Sequence, residues 1–234
     1  MGSQDHLEQG RIQLELVSQS YPCFFPDISA ILLFKIPVHS SLLSSMGDFK
    51  ASQVAFEVQK HFANKFFSNK VTVKGLIDES TGNLVDNLYN LLFAFTNNKK
   101  DSENTTRNII KMSVKIAMLQ RGEKFNTEEK ELLMMIHRHL HTVAMTLVTF
   151  YQVDHTFDKA FLIKYFTELE NMLKTLVRLH LTEKSVTRVE QIFEVLKTAE
   201  FLECVFVPGK NTDMRNLMER VVDDLNSCME AGVL

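Results

Sequence analysis

Proline is concentrated near the N-terminus of this 234-residue chain. Pro22, Pro26 and Pro37 lie within the first 45 residues, and the next proline is Pro208. A proline inside a helix removes a backbone hydrogen bond and clashes with the preceding turn, so helix interiors avoid it. Residues 38–207 contain no proline and few glycines, which predicts a compact all-α domain.

The same distribution predicts a domain boundary near Met46. We expect residues 1–45 to be a flexible or species-specific N-terminal extension and residues 46–234 to form a single helical domain. The apolar stretch 28–34 is flanked by prolines and falls short of the ~18 residues that a membrane span needs. A membrane-touching or targeting arm is the alternative interpretation of the extension.

Charge and cysteine content exclude several classes of protein. The net charge of -3 and the pI near 6.2 argue against a general nucleic-acid binder, which usually carries a basic field. Cys23, Cys204 and Cys228 are odd in number and lack CxxC spacing, so they predict neither a disulfide framework nor a thiolate zinc site. A reducing, cytoplasmic setting is the expectation that follows.

Apolar residues at helical spacing predict a single bundle of six or seven antiparallel helices with short loops. The predicted helices are residues 50–69, 84–96, 102–121, 127–151, 158–181, 185–207 and 213–229. Gly122 is expected to end the third, and Thr156 or Asp158 to cap the fifth. Residues 143–150 are apolar on nearly every face, so we expect that helix to be surrounded by protein or by something the protein holds.

No pattern of catalytic or metal-binding residues stands out. His137 and His141 would share a helix face as two ligands might, but Arg138 stands where a zinc protease carries its glutamate. A solvated basic face is the favoured interpretation. The chain has no G-x-S-x-G elbow, Walker loop or G-x-G-x-x-G turn, so we expect neither an enzyme nor a metal protein.

Three ordered blocks carry a family resemblance: residues 144–158 (AMTLVTFYQVDHTFD), 178–185 (RLHLTEKS) and 200–202 (EFL). Upstream, residues 76–81, 88–89 and 117–121 continue the series, which covers about residues 50 to 230. This series resembles the tumour-necrosis-factor-alpha-induced protein 8 family, also called the TIPE family. The resemblance implies a bundle that looks like a mirror image of death-effector domains and encloses a central hydrophobic cavity for lipid.

The resemblance also implies a basic rim that holds the phosphates of a lipid headgroup. The residues assigned to this rim are Lys60, His61, Lys65, Arg107, Lys111, Lys115, Arg121 and His137. Three of them, Arg107, Lys111 and Lys115, follow one another at i, i+4, i+8, and a solvated face is the alternative interpretation of that stripe. His61 and His137 stand where the family usually has lysine or arginine. If both complete the rim, binding should strengthen as pH falls through ~6.5.

The apolar side of the bundle supports two interpretations. The chain has 18 phenylalanines and 11 methionines, which suit either a packed core or a cavity that adapts to alkyl chains. The resemblance favours the cavity. The residues assigned to its lining are Val114, Met118, Val143, Leu147, Val148, Leu162, Phe166 and Leu169.

These features together predict a non-enzymatic carrier of phosphoinositides and other anionic phospholipids that regulates apoptosis and inflammatory or immune signalling. We expect a cytoplasmic protein recruited peripherally to the plasma membrane, with no cofactor apart from a bound phospholipid or fatty acid. The alternative is a helical adaptor that docks signalling proteins, such as death-pathway components or small GTPases, with the cavity incidental. An enzyme acting on lipids is the least supported interpretation.

Overall fold

The computed structural model describes residues 49–66, 79–153 and 155–232, apart from the side chains of 62–66 and 79. Every regular element in these ranges is a helix, as predicted, and short loops separate the helices. The helices are α1 Ala51–Phe66, α2 Glu79–Thr96, α3 Lys99–Arg121, α4 Thr127–Gln152, α5 Lys159–His180, α6 Glu183–Leu196, α7 Ala199–Phe206 and α8 Thr212–Glu230. No helix in these ranges is both long and apolar enough to cross a membrane. The predicted extension 1–45 lies outside the described residues, so the domain boundary stays a prediction.

Six of the helices form a closed ring. Helix α2 packs on α3, α3 on α6, α6 on α5, α5 on α4, α4 on α8, and α8 returns to α2. Helix α1 lies outside the ring against α2 and α3, and the short α7 packs on α5, α6 and α8. The chain therefore builds one bundle in which neighbours in the sequence are often, but not always, neighbours in space.

Two apolar clusters hold this arrangement. The larger one fills the ring and draws residues from all six of its helices, including Leu92, Ile116, Ile136, Leu162 and Met214. The smaller one lies under α1, where Ala51 and Val54 meet Tyr89 of α2 and Val114 of α3. Burying apolar surface is the main favourable contribution to folding, so both clusters belong to the stable part of the domain.

Polar residues at the helix ends explain several boundaries. Asn126 and Glu129 form a reciprocal capping box at the start of α4, with hydrogen bonds of 2.8 and 2.9 Å. Asp158 caps α5 by accepting a hydrogen bond from the Phe161 amide, as predicted. Gly122 is the C-cap of α3, also as predicted, but the left-handed backbone conformation falls on Glu123, with φ of 51°.

The prediction of one helix over residues 185–207 is wrong, because α6 and α7 are separate there. The backbone becomes extended at Thr198, with φ −64° and ψ 120°, between Leu196 and Ala199. The Thr198 hydroxyl donates to the Glu194 carbonyl, 2.9 Å away, and so gives a hydrogen-bond donor to a carbonyl in the last turn of α6. The break turns α7 so that Phe201 makes an edge-to-face contact with Phe95 of α2.

The protein itself does not cover residues 143–150 on one face, so the first of the two predicted surroundings is wrong there. Val143, Ala144 and Val148 are buried, but Met145 is 49% exposed and Thr149 is exposed as well. This face borders a surface pocket of about 490 Å³ between α4 and the start of α5. Hydropathy alone did not predict this exposed face, because threonine is nearly as compatible with a buried position as with an exposed one. Here the hydroxyls of Thr142, Thr146 and Thr149 lie at the surface and donate to carbonyls of their own helix.

Candidate functional site

A larger pocket, of about 870 Å³, opens where α1, α3, the end of α5 and the start of α6 meet. We call it the basic pocket. Its lining residues are Glu57, Val58, His61, Lys111, Lys115, Leu179, His180, Leu181, Thr182, Lys184 and Arg188. Within the described part of the chain, Glu57 is the only carboxylate on this lining, against four lysine or arginine side chains.

The four cations come from two helices that pack on each other. Lys111 and Lys115 are one turn apart on α3, and Lys184 and Arg188 are one turn apart on α6. The i, i+4 spacing places each pair on a single helix face. Because like charges at this spacing repel, the arrangement works against the stability of the folded protein and favours binding of an anion between the helices.

Lys111 shows this electrostatic cost most clearly. Partial burial lowers the pKa of its ammonium group, and the positive charges of Arg188, Arg107 and Lys184 lower it further. Among the described residues, no carboxylate lies within 4 Å of Lys111, Lys184 or Arg188. A phosphate bound between them would relieve the repulsion and restore the usual proton affinity of the lysine.

Lys115 and the start of α6 give the pocket a fixed wall. The Lys115 ammonium donates to the hydroxyl of Ser185, which is fully buried, at 2.9 Å. Thr182 is the N-cap of α6 but its side chain makes no capping hydrogen bond. The first amides of a helix carry partial positive charge and commonly face anions, so this end adds to the field of the four cations.

Apolar side chains line the same pocket. Val58 packs against the smaller cluster under α1, and Leu181 packs against both clusters, so the two form an apolar floor. Leu179 instead projects outward and is 60% exposed. The pocket thus combines a group of cations with apolar surface, the pairing that an amphiphilic anion requires.

His180 joins the pocket to the start of α4. Its Nε2 lies 3.1 Å from the Glu129 carboxylate, and its ring makes an edge-to-face contact with Phe125. The pKa of Glu129 is lowered, chiefly by the hydrogen bond from the Asn126 amide and also by His180. The capping residue of one helix therefore also positions a histidine of the pocket.

Only part of the rim predicted from the resemblance gathers here. His61, Lys111 and Lys115 line the basic pocket, and Lys60 is exposed next to His61 on α1 without lining it. The side chain of Lys65 lies outside the described residues.

The other three rim residues lie off the pocket lining. Arg107 pairs with Glu103 at 3.7 Å and lies over the Phe49 ring, and Arg121 is exposed at the end of α3. His137 is half-buried on α4, where burial, together with His141 and Arg138, lowers its pKa. A lowered pKa opposes the protonation by which this imidazole was expected to add charge to the rim.

The eight predicted cavity residues do not lie together. Val114 and Met118 belong to the smaller cluster under α1. The other six pack in or against the ring cluster: Val143, Leu147, Val148, Leu162, Phe166 and Leu169. None of the eight lines the basic pocket.

Sequence reasoning missed His180, Lys184 and Arg188 as pocket residues. His180 and Lys184 lie inside the block 178–185 that carried the resemblance, and Arg188 follows Lys184 at i+4. That spacing on a predicted helix was the available signal. Its meaning depended on α3 packing alongside α6, which local sequence does not reveal.

Comparison with known proteins identifies similar chains over the same region. Residues 49–232 match the family model described as tumor necrosis factor alpha-induced protein 8-like, a range that includes all eight helices. The chain is 39% identical over 160 residues to tumor necrosis factor alpha-induced protein 8 of Xenopus laevis, covering 68% of this chain and 85% of that one. It is 34% identical over 184 residues to protein salivary glands marred of Drosophila melanogaster, covering 79% and 96%. The human protein named tumor necrosis factor alpha-induced protein 8 is 32% identical over 182 residues, covering 78% and 90%.

Proposed function

This chain belongs to the tumor necrosis factor alpha-induced protein 8 family, and from that membership we propose that it is a non-enzymatic protein that binds phosphoinositides and other anionic phospholipids. The relatives carry the names of regulatory proteins rather than of enzymes, and their name ties them to the response to tumour necrosis factor alpha. We place the proposed lipid binding in the regulation of cell death and of inflammatory or immune signalling. The protein would act in the cytoplasm and reach the plasma membrane by peripheral recruitment.

The convergence of four cations on one partly apolar pocket supports this proposal most strongly. Lys111, Lys184 and Arg188 have no carboxylate within 4 Å in the described part of the chain, whereas Lys159, Lys174 and Lys197 elsewhere are all ion-paired. A phosphorylated headgroup would supply the missing negative charge. Each lysine or arginine near an anionic bilayer contributes ~1 kcal/mol, so four can concentrate the protein at such a surface.

The apolar floor formed by Val58 and Leu181 gives the first part of an acyl chain a place to lie. Burial contributes ~0.8 kcal/mol for each CH₂ removed from water, so even a short contact adds to the attraction of the headgroup. The proposed division of roles is that the cations select an anionic lipid and the apolar surface retains it. That the acyl chain continues into the interior of the six-helix ring is a separate prediction, tested below by lipid transfer.

The test is co-sedimentation with phosphatidylcholine liposomes that contain a phosphoinositide. Replacing Lys111 and Arg188 with glutamate should abolish binding. The matched control replaces Lys130 and Arg138, exposed on α4, with glutamate and makes the same change in net charge. Wild-type binding should weaken as salt rises, because surface charges are screened beyond ~8 Å at physiological ionic strength.

Equal binding by the pocket variant and its control would reject the basic pocket as the lipid site. A third variant, with Lys60, Lys65 and Arg121 reversed to glutamate, tests the rim that the family resemblance alone implies. Lipid transfer between liposomes, measured on folded Leu147→Trp or Val148→Gln variants, tests the predicted cavity. Transfer unchanged in both would favour the adaptor alternative.

A further inference from the structure

Leu179 is the most exposed large apolar side chain among the described residues, at 60%. Single exposed apolar residues are common on protein surfaces and need no explanation by themselves. The position of this one is informative, because it lies in the last turn of α5 on the lining of the basic pocket. Leu181, two residues later, instead packs against both apolar clusters.

Several cations lie close to this leucine in the sequence. Over residues 178–188 the charged side chains are Arg178, Lys184 and Arg188 against Glu183. Arg178 and Lys184 are both exposed, so they can reach a surface that the leucine touches. On α1, which provides another wall of the pocket, Phe56 is 55% exposed and precedes the lining residue Glu57.

A protruding apolar side chain on the lining of a pocket that also carries four cations fits an anionic bilayer better than a protein surface or a soluble anion. Lysine and arginine remain at the phosphates, while an apolar residue gains by entering the acyl region. We propose that Leu179 inserts into an anionic phospholipid bilayer and so holds the mouth of the basic pocket against the membrane. This inference rests on the proposed lipid binding and adds to it a residue that contacts the acyl region of the bilayer rather than the headgroup.

The absence of tryptophan from the chain provides a direct test. Leu179→Trp places a single reporter at the proposed point of insertion. Its emission should shift to shorter wavelength on addition of vesicles of phosphatidylcholine with a phosphoinositide, and brominated acyl chains should quench it. Met135→Trp is the matched control, since Met135 is 52% exposed on α4, which does not line the pocket. Its emission should not change.

A second measurement uses Leu179→Ser beside Met135→Ser. Loss of the leucine should weaken vesicle binding by about ten-fold more than it weakens binding of soluble inositol trisphosphate, because only the bilayer receives the side chain. The Met135→Ser variant should bind vesicles as the unmodified protein does. Circular dichroism and the Tm of each variant establish that the fold is retained.

The outcomes separate the two proposals. If the tryptophan at 179 keeps a solvent-exposed emission while the protein is bound to vesicles, insertion is rejected and the lipid binding stands. Equal vesicle binding by Leu179→Ser and unmodified protein rejects insertion in the same way. If the unmodified protein binds neither vesicles nor inositol trisphosphate, the proposed function and the insertion fall together.

Discussion

The Lys111 side chain is charged in a place where the folded chain stabilises that charge poorly. Burial and three neighbouring cations all lower its pKa, so keeping this ammonium charged costs the folded protein free energy that a bound anion would offset. Functional sites commonly retain such unfavourable groups, and removing them can stabilise a protein at the expense of activity.

We therefore expect Lys111→Met to keep or raise the Tm while weakening phosphoinositide binding about five-fold, the effect of ~1 kcal/mol for one cation at an anionic surface. The control is Lys124→Met, an exposed lysine in the loop after α3, which should change neither quantity. Thermal denaturation and liposome co-sedimentation measure the two effects. A clear fall in Tm would contradict the view that Lys111 is held at a cost.

Glu203 presents the opposite electrostatic case. Its carboxylate accepts hydrogen bonds from Lys159 and Lys210, which lower its pKa from 4.5 to about 2. A carboxyl group whose pKa is lower in the folded state stabilises the fold above its unfolded pKa, and this contribution is lost as pH falls through the folded value. The relevant window is therefore pH 4.5 to about 2.

Glu203→Gln should lower the Tm at pH 7, and the difference from the unmodified protein should shrink steadily below pH 4.5. Denaturation at a series of pH values measures this. Glu194→Gln, an exposed carboxylate on α6 with no cation partner among the described residues, should show no such convergence. A Glu203→Gln difference that stays constant to pH 2 would show that the two lysines do not act through charge.

The limits of sequence reasoning about the site are visible in the stripe of Arg107, Lys111 and Lys115. Successive i, i+4 positions rotate by about 40° around a helix, so the first and third residues of such a stripe face different directions. Lys111 and Lys115 accordingly reach the basic pocket, while Arg107 turns to Glu103 and the Phe49 ring. Periodicity identified the helix and its cations, but only packing decided which cations meet.

At the scale of helices, local chemistry predicted some boundaries and missed others. Asn98 caps α3, which begins at Lys99, three residues before the predicted start at 102. The start of α4 at Thr127 was predicted to the residue, and both ends of α5 and of α8 lie within one residue of the predicted ends. The break between α6 and α7 was not predicted, since residues 196–199 contain neither glycine nor proline. It is stabilised by tertiary contacts of Phe201 and Phe206, which lie far from their partners Phe95 and Phe157 in sequence.

Two capping residues allow the contribution of a capping hydrogen bond to the free energy of unfolding to be measured. Asn126 makes a capping box with Glu129 at the start of α4, whereas Thr182 at the start of α6 makes no side-chain capping bond. Asn126→Ala should lower the free energy of unfolding by ~1 kcal/mol, and Thr182→Ala should cost much less. Urea denaturation of both variants measures the difference. Equal losses would mean that the capping hydrogen bonds do not contribute as the geometry implies.

For the whole molecule, amphipathic periodicity was enough to predict a helical bundle but not the order of packing. Helices α3 and α6 share an interface although two helices separate them in sequence, and that interface brings the cations of the basic pocket together. Helix α1 contributes the remaining wall from outside the ring. The pocket is therefore a property of the assembled bundle, and no single segment contains it.

Both apolar clusters lie within residues 49–225, so removal of residues 1–45 takes nothing from the described core. We expect a chain of residues 46–234 to fold alone, with a circular dichroism spectrum dominated by helix and a Tm close to that of the full chain. A chain of residues 79–234 is the informative comparison, because it lacks α1 and uncovers buried Val114, Ala117 and Met118. Exposing several apolar side chains costs roughly 1.5–3 kcal/mol for each large one, so this shorter chain should melt at a clearly lower temperature. An insoluble or strand-rich 46–234 product would reject the domain boundary, and equal melting of the two truncations would show that α1 does not belong to the cooperative core.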